Sequence, residues 1–179
     1  MIITISGLAG SGKSTVAKLV AQKLGCNHYS AGDLQRELAN EHNLTIKQWG
    51  ELEARDEKYD KMVDDRTVIL GKTKDNFVMD GWLAPKFIPH SIKVFLTGEE
   101  KVRAQRRLNH KRQEEQFTDI NQTIIDMRER IKCNRERWLR YYNYDLLDER
   151  NYDFVIDTTN LSKEEVAQKI LDFVHSNKN

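Results

Sequence analysis

Gly7-Leu8-Ala9-Gly10-Ser11-Gly12-Lys13-Ser14, followed by Thr15, fits G-x-x-x-x-G-K-[ST], the pattern of a loop that cradles phosphate. Its neighbours supply the setting the pattern needs. Ile2-Ile3-Thr4-Ile5 comes before it, short, apolar and β-branched, and reads as a buried strand. Val16 to Leu24 comes after it, apolar at helical spacing, with Gly25 as the stop. Gly7, Gly10 and Gly12 permit backbone conformations that side chains forbid and let the chain approach an anion closely. Backbone amides then converge on that anion, with the positive end of a helix dipole behind them. Lys13 adds a mobile charge for the outer phosphates, and Ser14 offers a hydroxyl to Mg²⁺.

The chain has 179 residues, enough for one domain with a sizeable core. Charged residues make up 32%, yet the net charge is only +1, which argues against a duplex-binding protein. The apolar start, Met1 to Ile5, is shorter than a signal peptide requires, and no apolar run is long enough to span a bilayer. Cys26 and Cys133 make no disulfide framework. The expectation is a cytoplasmic protein, monomeric by default, with no nucleic-acid or membrane partner.

Further apolar strands are expected over 26–30, 76–81, 92–96 and 152–157, with helices over about 31–41, 45–54, 57–72, 99–111 and 119–142 and a last helix capped by Ser162. Five strands alternating with helices imply an α/β fold, a five-stranded parallel sheet flanked by helices. Three successive helices between the second and third strands exceed what a crossover needs, and read as a helical insert. Ligands of such sheets sit at the carboxyl ends of the strands, so 7–14, 30–33, 80–82 and 157–159 are expected to share one rim.

Asp80 ends an apolar strand, where a carboxylate can hold Mg²⁺ beside Ser14. Moving a phosphoryl group between two anions requires cations to bring them together. Arg130 and Arg137 are seven residues apart on the long expected helix, so both can face the cleft. Asp60, Asp64, Asp65 and Arg66 are candidate readers of a base, since a carboxylate can accept from an amino group of cytosine. His28, His42, His90 and His175 have no pattern around them and read as structural or surface residues.

These residues carry a resemblance. Ile2 to Gly7 with the phosphate loop, Ser30-Ala31-Gly32-Asp33 with Arg36, and Asp80-Gly81-x-Leu83-Ala84 are similar to the nucleoside monophosphate kinases, and most to the small, archaeal-type cytidylate kinases. Val102-Arg103-Ala104-x-Arg106, Arg130 with Arg137, and Tyr152-Asp153-x-Val155-Ile156-Asp157-Thr158 extend the likeness over nearly the whole chain. The resemblance implies a P-loop NTPase fold in a single kinase domain. Its core would be 1–30, 75–106 and 121–179, its acceptor-binding segment 31–74 and its lid about 107–120. It implies transfer of the ATP γ-phosphoryl to CMP or dCMP with Mg²⁺. ATP would be bound by Gly7, Leu8, Ala9, Gly10, Ser11, Gly12, Lys13, Ser14 and Thr15, with Arg106 over its adenine. The acceptor would meet Ser30, Asp33, Arg36, Gly81, Trp82 and Asn134. Lys13, Arg130 and Arg137 would be catalytic, and Ser14 and Asp80 would hold the metal.

Three positions depart from the family pattern. Trp82 and His110 stand where arginine is usual, and Asn134 where an acid is. An indole cannot neutralise phosphate, although it can stack on a base. A kinase for another small acceptor, and an ATP-binding regulator, are the alternatives the residues leave open.

Overall fold

The computed structural model describes residues 1–109 and 119–176. Strand β1 (Ile2–Gly7) is buried at all six positions, as its apolar, β-branched sequence requires of a central parallel strand. It pairs in parallel with β3 (Phe77–Asp80) on one side and with β4 (Ile92–Thr97) on the other. Strands β2 (Asn27–Ser30) and β5 (Phe154–Asp157) close the two edges, giving the order β2-β3-β1-β4-β5. The chain turns away from β1 in opposite directions on its two sides. That divergence opens a crevice above the carboxyl end of β1, where the phosphate loop begins.

Alternation along β1 builds two cores. Ile3 and Ile5 pack with helices α1 (Lys13–Leu24) and α8 (Lys163–Ser176) through Val16, Val20, Val166 and Ile170. On the other face Ile2, Phe77 and Met79 meet Ala84 and Ile88. These two belong to a segment left without an element by the sequence pattern. Ala84–Phe87 is a single turn, α5, with Pro85 in its first turn, where a missing N–H costs nothing.

Helices α2 (Ala31–Glu41), α3 (Ile46–Arg55) and α4 (Glu57–Thr73) form the expected insert, with their own small core around Leu38, Ala39 and Trp49. Thr45 and Gln48 make a reciprocal capping box at the start of α3. Helix α6 (Glu100–Asn109) leads towards α7 (Ile120–Tyr142), which Asp119 caps by accepting from the amides of Asn121 and Gln122. Arg128 grips Glu100 with two hydrogen bonds, and Arg107 pairs with Asp126 at 3.0 Å, so α7 is oriented against α6. Two elements differ slightly from the sequence pattern. Strand β3 starts at Phe77, because Asn76 takes a left-handed turn conformation, and β5 starts at Phe154 rather than at Tyr152. Most of the expected lid, including His110 and Arg112, lies outside the described residues.

Candidate active site

One cleft of about 810 Å³ runs from the phosphate loop to the helical insert. The strand ends converge there as expected: residues 9–16, Ser30, Asp80 to Leu83 and Thr158 all line it. The loop has no room for side chains at its two tightest points. A Cβ on Gly7 (φ +146) would sit 2.3 Å from the Leu96 carbonyl oxygen, and one on Gly10 (φ +77) would sit 2.2 Å from that of Arg103. Arg103 is itself buried and ties the loop to the sheet, donating from Nη1 to the Ala9 carbonyl and from Nε to the Gly98 carbonyl. Helix α1 starts after Gly12 with no side-chain cap, so its positive end opens on the cleft. The Lys13 ammonium curls over this loop and donates to the carbonyls of Gly7 and Leu8 at 2.8 and 3.0 Å.

Asp80 is 4% exposed, at the end of β3, and three side chains from two elements, α1 and β2, meet it. Ser14 Oγ donates to Oδ2 at 2.7 Å, Ser30 Oγ reaches the same oxygen at 3.4 Å, and His28 Nε2 meets Oδ1 at 2.7 Å. The carboxylate and the Ser14 hydroxyl are hard oxygen donors in contact, which fits Mg²⁺. Among the described residues no group of three or more His, Cys, Asp or Glu could hold a metal. The fit is therefore to an ion that brings its own waters and phosphate oxygens. His28, read from the sequence as structural or surface, fixes the carboxylate from behind.

Helix α7 lays a stripe along the cleft: Arg130, Asn134, Arg137 and Trp138, spaced by four, three and one residues. Arg130 lies 5.0 Å from the centroid of the Trp82 ring, and Lys13 lies 5.6 Å from it. Arg137 reaches the opposite wall, where its Nε lies 3.1 Å from Asp60 and its Nη2 lies 4.0 Å from Glu53.

That wall is acidic. Glu53, Asp60 and Asp64 all line the cleft. Glu53 accepts from Trp49 Nε1 at 2.9 Å and from Gln35 Nε2 at 2.6 Å, and Asp64 accepts from the Tyr142 hydroxyl. Burial, and then the Asp60 carboxylate, push Glu53 up to about 7 against the opposing pull of Arg137 and of the Trp49 and Gln35 hydrogen bonds. Burial, opposed by the Tyr142 hydrogen bond, pushes Asp64 up to about 7 as well. Burial raises Asp60 despite Arg137. Of the sequence candidates for base reading, Asp60 and Asp64 reach the cleft. Arg66 instead pairs with Glu37 and Glu41, and Asp65 is exposed.

A cleft with a phosphate loop at one end, a carboxylate beside its serine and two arginines across it can be set against known proteins. The sequence profile of the cytidylate kinase-like family matches residues 2–160. The chain belongs to that family. A cytidylate kinase of Sulfolobus acidocaldarius is 37% identical over 175 residues, covering 96% of this chain and 92% of its own. One from Methanobrevibacter smithii is 32% identical over 171 residues, covering 96% of each. Among solved structures, an uncharacterized protein from Eubacterium ventriosum superposes with a TM-score of 0.73 at 20% identity, covering 98% of this chain and 99% of its own. A shikimate kinase from Bacteroides thetaiotaomicron gives 0.68 at 19% identity, covering 98% of each chain. These likenesses establish the P-loop kinase fold.

The residues that the family resemblance assigns are unevenly placed. Gly10 to Thr15, Arg106, Ser30, Gly81, Trp82, Asn134, Arg130 and Arg137 line the cleft. Asp33 and Arg36 are not among its lining residues; they pair with each other at 2.5 Å, the guanidinium beside the cleft-lining Gly32. Arg106 is turned onto the Thr158, Thr159 and Leu161 carbonyls, bracing the loop after β5. Sequence reasoning missed Glu53, His28 and the structural work of Arg103. Glu53 left a trace in its spacing: it lies one helical turn after Trp49, so the two side chains share a face.

Proposed function

We propose that this family member is a nucleoside monophosphate kinase that transfers the γ-phosphoryl group of ATP to CMP or dCMP. The observation that carries the reading is that one cleft joins the phosphate loop to a second, acid-lined end, with Lys13, Arg130 and Arg137 between the two. The 30–37% identity to curated cytidylate kinases over nearly the full chain supports the same acceptor class. ATP takes the loop end, its outer phosphates meeting Lys13 and the α1 N-terminus. Ser14 and Asp80 hold Mg²⁺, which neutralises charge on the donor phosphates when bound. The acceptor takes the end built by α2–α4, the segment 31–74, with Ser30, Gly81 and Asn134 along its path. Arg130 and Arg137 draw the two anions together and stabilise the equatorial oxygens in transfer. Catalysis here is positioning and charge neutralisation, and needs no covalent intermediate. The unbridged Cys26 and Cys133 suit a reducing, cytoplasmic compartment.

The test is ADP release from ATP offered with CMP, dCMP, UMP, AMP, GMP or shikimate. Release that depends on CMP or dCMP, and is at least about tenfold faster than with the others, is expected. Release without any acceptor, or with shikimate alone, overturns the reading.

A further inference from the structure

Three of the cations that line the cleft, Lys13, Arg130 and Arg137, meet one pair of indole rings. Trp82 follows β3, anchored by its carbonyl, which accepts from Ser6 Oγ at 2.9 Å. Its ring meets the Trp138 ring edge to face, 5.3 Å between centroids and 79° between planes. Behind them lie Leu83, Leu146 and Tyr142. Lys13 is 5.6 Å and Arg130 5.0 Å from the Trp82 centroid, and Arg137 is 5.7 Å from that of Trp138. These cations come from the phosphate loop and from two successive turns of α7.

We infer that the Trp82–Trp138 pair is an aromatic platform that presets Lys13, Arg130 and Arg137 for phosphate, with Trp82 the positioning residue for the first two. Two cations gathered at one place repel each other, and something must hold them there. An indole face attracts a cation through its quadrupole and leaves the charge intact. Packed against Trp138 and the aliphatic side chains behind, the ring is fixed, so little reorganisation is left for the moment of transfer. Lys13 is also held by the Gly7 and Leu8 carbonyls and Arg137 by Asp60, and the role is assigned to Trp82 because its ring meets two of the three cations. The inference rests on the phosphoryl-transfer reading only in taking phosphate as the anion these cations meet.

Isothermal titration with inorganic tripolyphosphate, which has no base to be read, reports on the cations alone. Trp82→Leu is expected to bind it about tenfold more weakly than wild type, while Trp82→Phe, which keeps a ring face, recovers most of the loss. In an Arg130→Ala background the Trp82→Leu cost should fall to about threefold, because one of the two cations on the ring is gone. With ATP and CMP, Trp82→Leu should lower kcat about tenfold and leave the KM for CMP within about threefold. Thermal melts confirm that each variant is folded; if Trp82→Leu is not, Trp82→Met fills the space without a ring face and carries the same expectation. Unchanged tripolyphosphate affinity, an equal loss in the Phe variant, or an undiminished cost without Arg130 overturns the platform. The titration needs no acceptor, so its outcome is separate from whether CMP is phosphorylated.

Discussion

At the scale of single residues, the site is held by side chains whose partners are other residues of the site. His28 is the clearest. Its ring sits on Asp80 Oδ1, opposite the oxygen that takes the Ser14 hydroxyl, so the carboxylate cannot swing. Partners behind a metal-binding carboxylate commonly contribute 10- to 100-fold to metal affinity. His28→Ala is therefore expected to raise the Mg²⁺ concentration needed for half-maximal ADP binding by about tenfold, with ADP affinity in EDTA unchanged, both read by calorimetry. Equal Mg²⁺ dependence in the two proteins would remove His28 from this role. Trp82 shows the converse. By its chemistry an indole is a lost cation at a phosphate site; in place, it gathers Lys13 and Arg130.

At the scale of elements, α3 and α4 bring Glu53, Asp60 and Asp64 together against a single arginine of α7. Their carboxyls are raised because burial disfavours charge and one guanidinium cannot offset three carboxylates. For acids with raised folded pKa values, the folded protein binds more protons than the unfolded chain between about pH 4 and pH 7. Stability therefore falls as pH rises through that window and levels off above it. Asp64→Asn removes one of the charges and leaves an amide oxygen for the Tyr142 hydroxyl. It should raise Tm by about 3 °C at pH 8 and change it little at pH 5, measured by calorimetry. An Asn variant that melts lower than wild type at pH 8 would show that the ionised carboxylate is needed there. The same wall is short of hydrogen-bond donors when ionised, which suits the amino edge of cytosine.

At the scale of the whole molecule, the cleft lies between a sheet-based core and a helical insert with a separate small core. The phosphate loop is fastened from both sides, by β1 and by Arg103 of α6. A ligand held there stabilises the elements that carry the fold. ATP at about 100 times its Kd should add about 2.7 kcal/mol to stability, which raises Tm by roughly 5–10 °C for a chain of this size. A Lys13→Ala variant should lose most of that shift in a melting experiment. Full retention would place the triphosphate elsewhere.

Local pattern alone was enough for the sheet, the loop and the chain order. β-branched apolar runs make strands, glycines at fixed spacing make the loop, and seven residues put Arg130 and Arg137 on one helical face. The single turn Ala84–Phe87 was not legible, because four residues carry no periodicity. Nor were the pairing of Asp33 with Arg36 and the contacts of His28, Trp82 and Arg103. His28 and Asp80 are 52 residues apart, and Arg103 and Ala9 are 94 apart. Only the parallel pairing of β2, β3, β1 and β4 brings their ends to one rim, and no property of a residue within its own segment states which distant group it will face.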